Sequence, residues 1–377
     1  MEAEGGEKFF SLMTHLLSVT IFQNAVILNK NRSEDNNMIT LSDVAKAAGV
    51  SRSAASKALH GGGGKTTKIS EKKSLHIQKI AEQLGYRPNR MAQRLASRKQ
   101  DIIGLIVDSQ CCRLYSDILS CIEQLTREAG YRLQVGLMHD SIDAIKSYVD
   151  DFLGYDIQSV ICMAHYYEFS EKVPPLFKPF KNPLFISQPA TDEKFSFVSP
   201  DYHGTFRKAM DYLFSLNRRK IIYVKSNYRT PDAMARARAF RDAHLAHGIP
   251  FDEAQIYCGD IGECDTLELM TELLDDVLPM RPDALIIGNG NATLWAIRLL
   301  NSRGLRVPED VSIIGMESWK GSQAMQPSIS VMDNNPAEIA REAVRVIINN
   351  IPVESPPLHE IFVEGSLILG ESCCHKV

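Results

Sequence analysis

Residues 38–61 read MITLSDVAKAAGVSRSAASKALHG, and this stretch decides what the first part of the chain is. Thr40 is placed to cap a helix, and Asp43, three residues on, completes a reciprocal capping box. Leu41, Val44, Ala45 and Ala48 then recur at helical spacing and make one apolar face. Gly49 stops that helix where a left-handed residue is wanted, and Val50 plugs the turn. Ser51 caps a second helix, Arg52 to Leu59, whose inner face is Ala55, Ala58 and Leu59. Small side chains at the contacts let two helices cross closely and steeply. The pattern is that of a helix-turn-helix, in which the second helix enters the major groove of DNA.

Alanine-rich helix pairs also occur in plain bundles, so the surroundings must decide. Residues 38–100 hold 13 Lys/Arg against 3 Asp/Glu, a net charge of about +10, whereas the whole chain of 377 residues carries −4. The first 37 residues carry about −2, which leaves about −12 on the 277 residues after Gln100. A small basic module on a large acidic body suits a protein that presents one end to a polyanion. The length allows two or three domains, and 44% hydrophobic residues is ample for buried cores. The 8 cysteines form no CxxC pair, and only Cys111-Cys112 and Cys373-Cys374 are adjacent, so free thiols in a reducing compartment are expected.

Upstream, Phe9 to Leu28 is apolar and long enough to raise the question of a membrane span, but Thr14, His15, Gln23 and Asn24 interrupt it. The segment before it holds Glu2, Glu4 and Glu7 and lacks the basic start of a secretory signal. Residues 1–37 are therefore expected to be a loosely packed extension, with Met38 the alternative first residue. Downstream, Gly61 to Lys68 reads as a flexible basic loop. Ser70 caps a third helix, Glu71 to Leu84, which offers Leu75, Ile77, Ile80, Ala81 and Leu84 to a small core and closes on Gly85. These features place a DNA-binding domain at 38–86. In residues 87–100, Arg90, Arg94 and Arg98 recur every four residues beside Met91 and Leu95. A helix this short is unstable alone, so it is expected to form on DNA as a hinge.

From Ile102 the texture changes to strand–helix alternation. IIGLIV, YRLQVGLM, SVICMA and PLFIS read as strands separated by helices over 115–129 and 141–153. The pattern repeats with KIIYVKS, AQIYCG, ALIIGN and VSIIGM, and ends with SISVM, a helix over 336–350 and EIFVEGSLIL as one closing strand. The fold class is α/β: a helix-turn-helix head followed by two lobes of doubly wound parallel sheet with a cleft between their strand ends. No nucleophile elbow, HExxH motif or phosphate loop is present, so neither an enzyme nor a cofactor is expected. A periplasmic-type solute-binding module without a DNA role is the alternative, and the basic head argues against it.

LSDVAKAAGVS, the LGYRPN at 84–89, the AQRLAS before IIGLIV and GLRVPEDVSIIG at 304–315 together resemble the lactose-repressor (LacI/GalR-type) family of bacterial transcription regulators. The resemblance implies a homodimeric, cytoplasmic regulator, most simply a repressor, that binds an approximately palindromic double-stranded operator and answers to a small-molecule effector such as a sugar. At the start of the second helix, Arg52, Ser53 and Ser56 are expected to meet base edges, with Arg52 forking to guanine. Thr40, Lys46, Ser51, Lys57 and Arg94 are expected at phosphates, and Leu95 as a minor-groove wedge.

Effector contacts implied by the resemblance are Tyr115, Arg236, Asn289, Glu317 and Asp333. The residues themselves leave Arg236 open to being a surface arginine, and Tyr115 to packing the core. The family's chain recrosses between lobes, which are expected at about 101–199 plus 327–352 and about 200–326 plus 353–372. The chain departs from the family at AASKALH (54–60), where Lys57 replaces an arginine, and in a longer loop before Ile69. Gly290 stands for the second member of an Asn-Asp pair, and Glu317 for a shorter acid. These changes point to an effector unlike the commonest hexoses.

Overall fold

The computed structural model describes residues 39–60, 69–88, 101–108, 113–139, 141–164, 169–226, 230–259, 267–316, 318 and 321–373. The expected N-terminal extension, the basic loop at 61–68 and the hinge helix lie outside these residues. The chain divides into two compact units, 1–99 and 100–377.

In the first unit, α1 is Leu41–Ala47, α2 Arg52–His60 and α3 Glu71–Gln83. The capping box forms as read. The Thr40 side chain accepts from the Asp43 backbone N–H, and the Asp43 carboxylate accepts from the Thr40 N–H at 2.9 Å. Gly49 takes φ +62°, a left-handed conformation that costs a residue with a Cβ about 1–2 kcal/mol. Ser51 Oγ accepts from the Ala54 N–H at 3.2 Å and starts α2. The core is Val44, Ala45, Ala55, Ile77, Ile80 and Ala81. Ala55 is fully buried, so a larger side chain there would push the helices apart. Leu75 does not join this core: it is 61% exposed, because its neighbours Ile77 and Ile80–Ala81 define the inner face of α3.

The second unit has two six-stranded sheets. Its elements in order are β1 (Ile102–Val107), α4 (Arg113–Glu128), β2 (Arg132–Leu137), α5 (Ile142–Gly154), β3 (Ser159–Met163), β4 (Asn182–Ile186), β5 (Ser196–Pro200) and α6 (Tyr202–Ser215). There follow β6 (Ile221–Ser226), α7 (Pro231–Ala246), β7 (Ile256–Gly259), α8 (Leu267–Val277), β8 (Ala284–Ile287), α9 (Gly290–Ser302) and β9 (Ser312–Met316). The last are β10 (Ser330–Asp333), α10 (Pro336–Asn350), β11 (Glu360–Val363) and β12 (Ser366–Ile368). The first sheet runs β11-β5-β4-β3-β1-β2, all parallel; the second runs β12-β10-β9-β8-β6-β7, with only β12 antiparallel.

Each sheet is apolar on both faces, as parallel strands covered by helices must be. In lobe 1, α4 and α10 pack Ile118, Ile122, Ile339 and Ile347 on one face, and α5 packs Ile145, Val149 and Phe152 on the other. In lobe 2, α8 and α9 cover Ile222, Val224, Leu285 and Ile313, while α6 and α7 cover Ile221, Tyr223, Ile286 and Ile314. Burying one such Ile or Leu side chain stabilises the fold by about 1.5–3 kcal/mol.

The lobe boundaries differ from the sequence expectation. β10 belongs to the lobe 2 sheet, where Val331 pairs with Gly315 of β9, and not to lobe 1. β11 belongs to lobe 1, where Ile361 pairs with Val198 of β5, and not to lobe 2. EIFVEGSLIL is thus two strands in two sheets, split at Glu364-Gly365. The chain crosses between lobes after β5, after β10 and after β11, each time within two residues of a strand's carboxyl end. Because every crossing leaves from a carboxyl end, the carboxyl edges of the two sheets must face each other. That is where an open α/β sheet binds ligands.

Candidate DNA-reading helix and interlobe site

On the head, Arg52 and Ser53 are exposed in the first turn of α2, while Ser56 and Lys57 are half-buried. Ser51 is held as the cap, with its Oγ 3.2 Å from Ser53 Oγ. The first turn of any helix presents backbone N–H groups without intrahelical partners, which suits a phosphate. Lys46, in the last turn of α1, is exposed; Thr40, also exposed, is already tied through Oγ1 to the Asp43 carboxylate at 2.8 Å. Tyr86, just after α3, has its phenol pKa raised by burial and held back by the nearby Arg52 charge. α3 is fastened to α2 by Gln78 Nε2, which donates to the Ala58 carbonyl at 3.3 Å. The exposed end of α2 therefore projects from a braced platform. Arg94 and Leu95 lie outside the described residues.

In the body, Asn289 and Asp333 stand at the carboxyl ends of β8 and β10, and Tyr115 and Arg236 in the helices that follow β1 and β6. Tyr115, in the first turn of α4, is buried in the lobe 1 core, and its hydroxyl lies 3.5 Å from Ser187 Oγ at the end of β4. It thus packs the core while its polar tip reaches the edge. Ser187 itself adopts φ +72°, a rare conformation for a residue with a Cβ, and no sequence signal marks it.

Arg236 sits in the second turn of α7, the helix that follows β6. Its guanidinium carbon lies 4.7 Å from the centre of the Tyr202 ring. It also donates to the hydroxyl oxygen of Tyr223, whose pKa is raised by burial and partly restored by the arginine's charge and hydrogen bond. It is half-buried and built into the lobe. No sequence signal marks Tyr202 or Tyr223 as partners of this arginine: KIIYVKS reads as a plain strand.

Asn289 follows β8 and is the N-cap of α9: its side-chain oxygen accepts from the N–H groups of Asn291, at 2.9 Å, and Ala292, at 3.2 Å. Asp333 ends β10 and lines an open pocket of about 570 Å³ beside the crossings with Lys208, Asn335, Phe362 and Glu364. Neither Tyr115 nor Arg236 lines that pocket. Burial raises the Asp333 carboxyl pKa, and a bond from the Asn335 backbone partly lowers it. Glu317 lies outside the described residues. Among the described residues no helix is long and apolar enough to cross a membrane.

Residues 40–89 match the DNA-binding domain of bacterial regulatory proteins of the lacI family, and residues 210–373 match a periplasmic binding protein-like domain. The chain thus carries a lacI-family DNA-binding domain followed by a periplasmic binding protein-like domain. It is similar to the HTH-type transcriptional regulator CelR of Thermobifida fusca, with 25% identity over 347 residues that cover 88% of this chain and 98% of that one. Its fold is that of the lac repressor dimer bound to operator and the anti-inducer ONPF, at TM-score 0.76 and 19% identity over 89% of this chain and 99% of that one. A CelR–cellobiose complex superposes at TM-score 0.64 with 23% identity, covering 89% of this chain and 99% of that one. With its lacI-type DNA-binding domain this chain is a DNA-binding transcriptional regulator, and its relatives are regulators, not enzymes.

Proposed function

We propose that this protein is a homodimeric repressor that reads an approximately palindromic operator with α2 and is controlled by a small polar effector, a sugar or sugar derivative, held between the lobes. Arg52, Ser53 and Ser56 read bases, and Thr40, Lys46, Ser51, Lys57 and Arg94 anchor phosphates. Leu95 wedges the minor groove at the operator centre. Tyr115, Arg236, Asn289, Glu317 and Asp333 form the effector set. DNA as the target puts the site of action in the cytoplasm, at the nucleoid.

The observation that carries this reading is the exposure of Arg52 and Ser53 at the capped start of α2, on a basic head joined to a body whose strand ends face each other across three crossings. An effector that bridges the two edges favours the closed arrangement of the lobes and shifts operator affinity by its differential binding to the two states. A solute-binding module with no DNA role would have no use for such a head.

Selection of duplexes from a random DNA library by the full chain tests the proposal. The expected result is enrichment of one two-fold symmetric sequence, with a different or relaxed consensus for Arg52→Ala. Equal recovery of all sequences by the wild-type chain would overturn it.

A further inference from the structure

Arg236 is a long, flexible side chain, and a guanidinium that must fork to a ligand works best when its plane is fixed beforehand. Two tyrosines surround it. Tyr223 lies on β6 and is fully buried, packed edge-on against Phe206 at 4.7 Å; its hydroxyl accepts from the guanidinium. Tyr202 is the first residue of α6, 5% exposed, and its ring lies beneath the guanidinium. The two contacts differ in kind: the Tyr223 hydroxyl takes one N–H, whereas the face of the Tyr202 ring bears on the centre of the fork, 4.7 Å from its carbon.

Tyr202 also has a particular place in the chain. It follows Asp201, the residue that carries the chain out of β5 into lobe 2. Asp201 caps α6 through the Gly204 N–H at 2.9 Å, and its own N–H donates to the Val363 carbonyl at 2.8 Å. Val363 ends β11, at another crossing. The ring beneath Arg236 is therefore mounted directly on the strand ends that join the lobes.

We propose that Tyr202 is the positioning residue for Arg236: it holds the guanidinium plane toward the interlobe site and references it to the lobe crossings, for a ligand group that accepts paired N–H bonds, such as a carboxylate or vicinal hydroxyls. The inference rests on Arg236 being an effector contact. Tyr202 touches the arginine and need not touch the ligand.

The test is modification of the full chain by phenylglyoxal, with peptide mass spectrometry reading Arg236 against exposed Arg238 on the same helix. In the wild type Arg236 should label more slowly than Arg238. Tyr202→Leu, which keeps an apolar filling, should raise the Arg236 rate about tenfold relative to Arg238. Tyr202→Phe, which keeps the aromatic face, should label like the wild type. An unchanged Arg236-to-Arg238 ratio in Tyr202→Leu would overturn the inference, as would a Tyr202→Phe protein in which Arg236 labels as fast as Arg238; the second result decides the matter even where the leucine variant fails to fold. The effector reading fails separately. If Arg236→Ala left titrations with cellobiose, D-glucuronate and D-glucose 6-phosphate the same as the wild type's while one of them bound, the effector role would fall and the positioning would stand.

Discussion

At the residue scale, the division of labour on the head is the first thing to test. Arg52 is exposed at the start of α2, so a fork to guanine is worth about 1–3 kcal/mol of discrimination at one operator position. Arg52→Ala should flatten preference at that position in a competition gel shift. Lys46→Ala should weaken all sequences alike and lessen the salt dependence of binding by about one counterion. His244 makes a second residue-scale prediction. It is fully buried among Phe214, Phe240 and Phe251, with Nδ1 2.8 Å from the Phe240 carbonyl oxygen, and burial lowers its pKa below the ordinary 6.5. The folded state then binds the proton less well than the unfolded one. Stability from this group is complete above pH about 6.5 and declines as the pH falls toward the lowered folded value. Thermal melts of the wild type should show this acid-side decline, and His244→Phe should flatten it. Capping was legible at this scale: Thr40, Asp43, Gly49 and Ser51 all act as their residue types dictate. Tyr202 and Tyr223 were not, since a tyrosine becomes a support only when folding sets a cation on its ring or hydroxyl.

At the element scale, the strands were readable and their partners only in part. The apolar runs mark most of the sheet but not SFVSP, which forms β5, because its serines and proline break the run. EIFVEGSLIL has the alternation of one strand, yet the chain spends it on two sheets. Alternation reports that a segment is pleated and half-covered; it carries no information on which sheet it joins. What splits this segment is the crossing at Glu364-Gly365. Lys208 of α6 binds the Glu364 carboxylate and donates to the Gly365 carbonyl at 2.9 Å. A Cβ on Gly365 would sit 2.4 Å from Thr205 Oγ1 and 2.6 Å from the Asp333 carbonyl oxygen. Backbone cannot yield as a side chain does, so Gly365→Ala should destabilise the body by about 1–3 kcal/mol, seen as a lower thermal midpoint. Lys208→Met should leave that midpoint within a few degrees while changing the response of operator binding to effector, because the ion pair is exposed and worth little to stability.

At the scale of the whole molecule, two units of opposite charge are joined: a basic head of about +10 that supplies affinity for DNA, and an acidic body that leaves that contact to the head. Regulation needs only that an effector bind the two lobe arrangements unequally, and couplings of this kind are typically about 1–3 kcal/mol, or about 5–150-fold in affinity. The measurement that tests this most directly is fluorescence anisotropy of the full chain on its selected operator. It is titrated with a panel of neutral sugars, sugar acids and sugar phosphates, for the wild type and for Arg236→Ala. The account predicts that one class of compound changes the wild-type affinity by a factor within that range. Arg236→Ala should bind the operator alone within a few-fold of the wild type and give no such change. An Arg236→Ala protein that binds its operator and responds to the same compound with the same midpoint would contradict it.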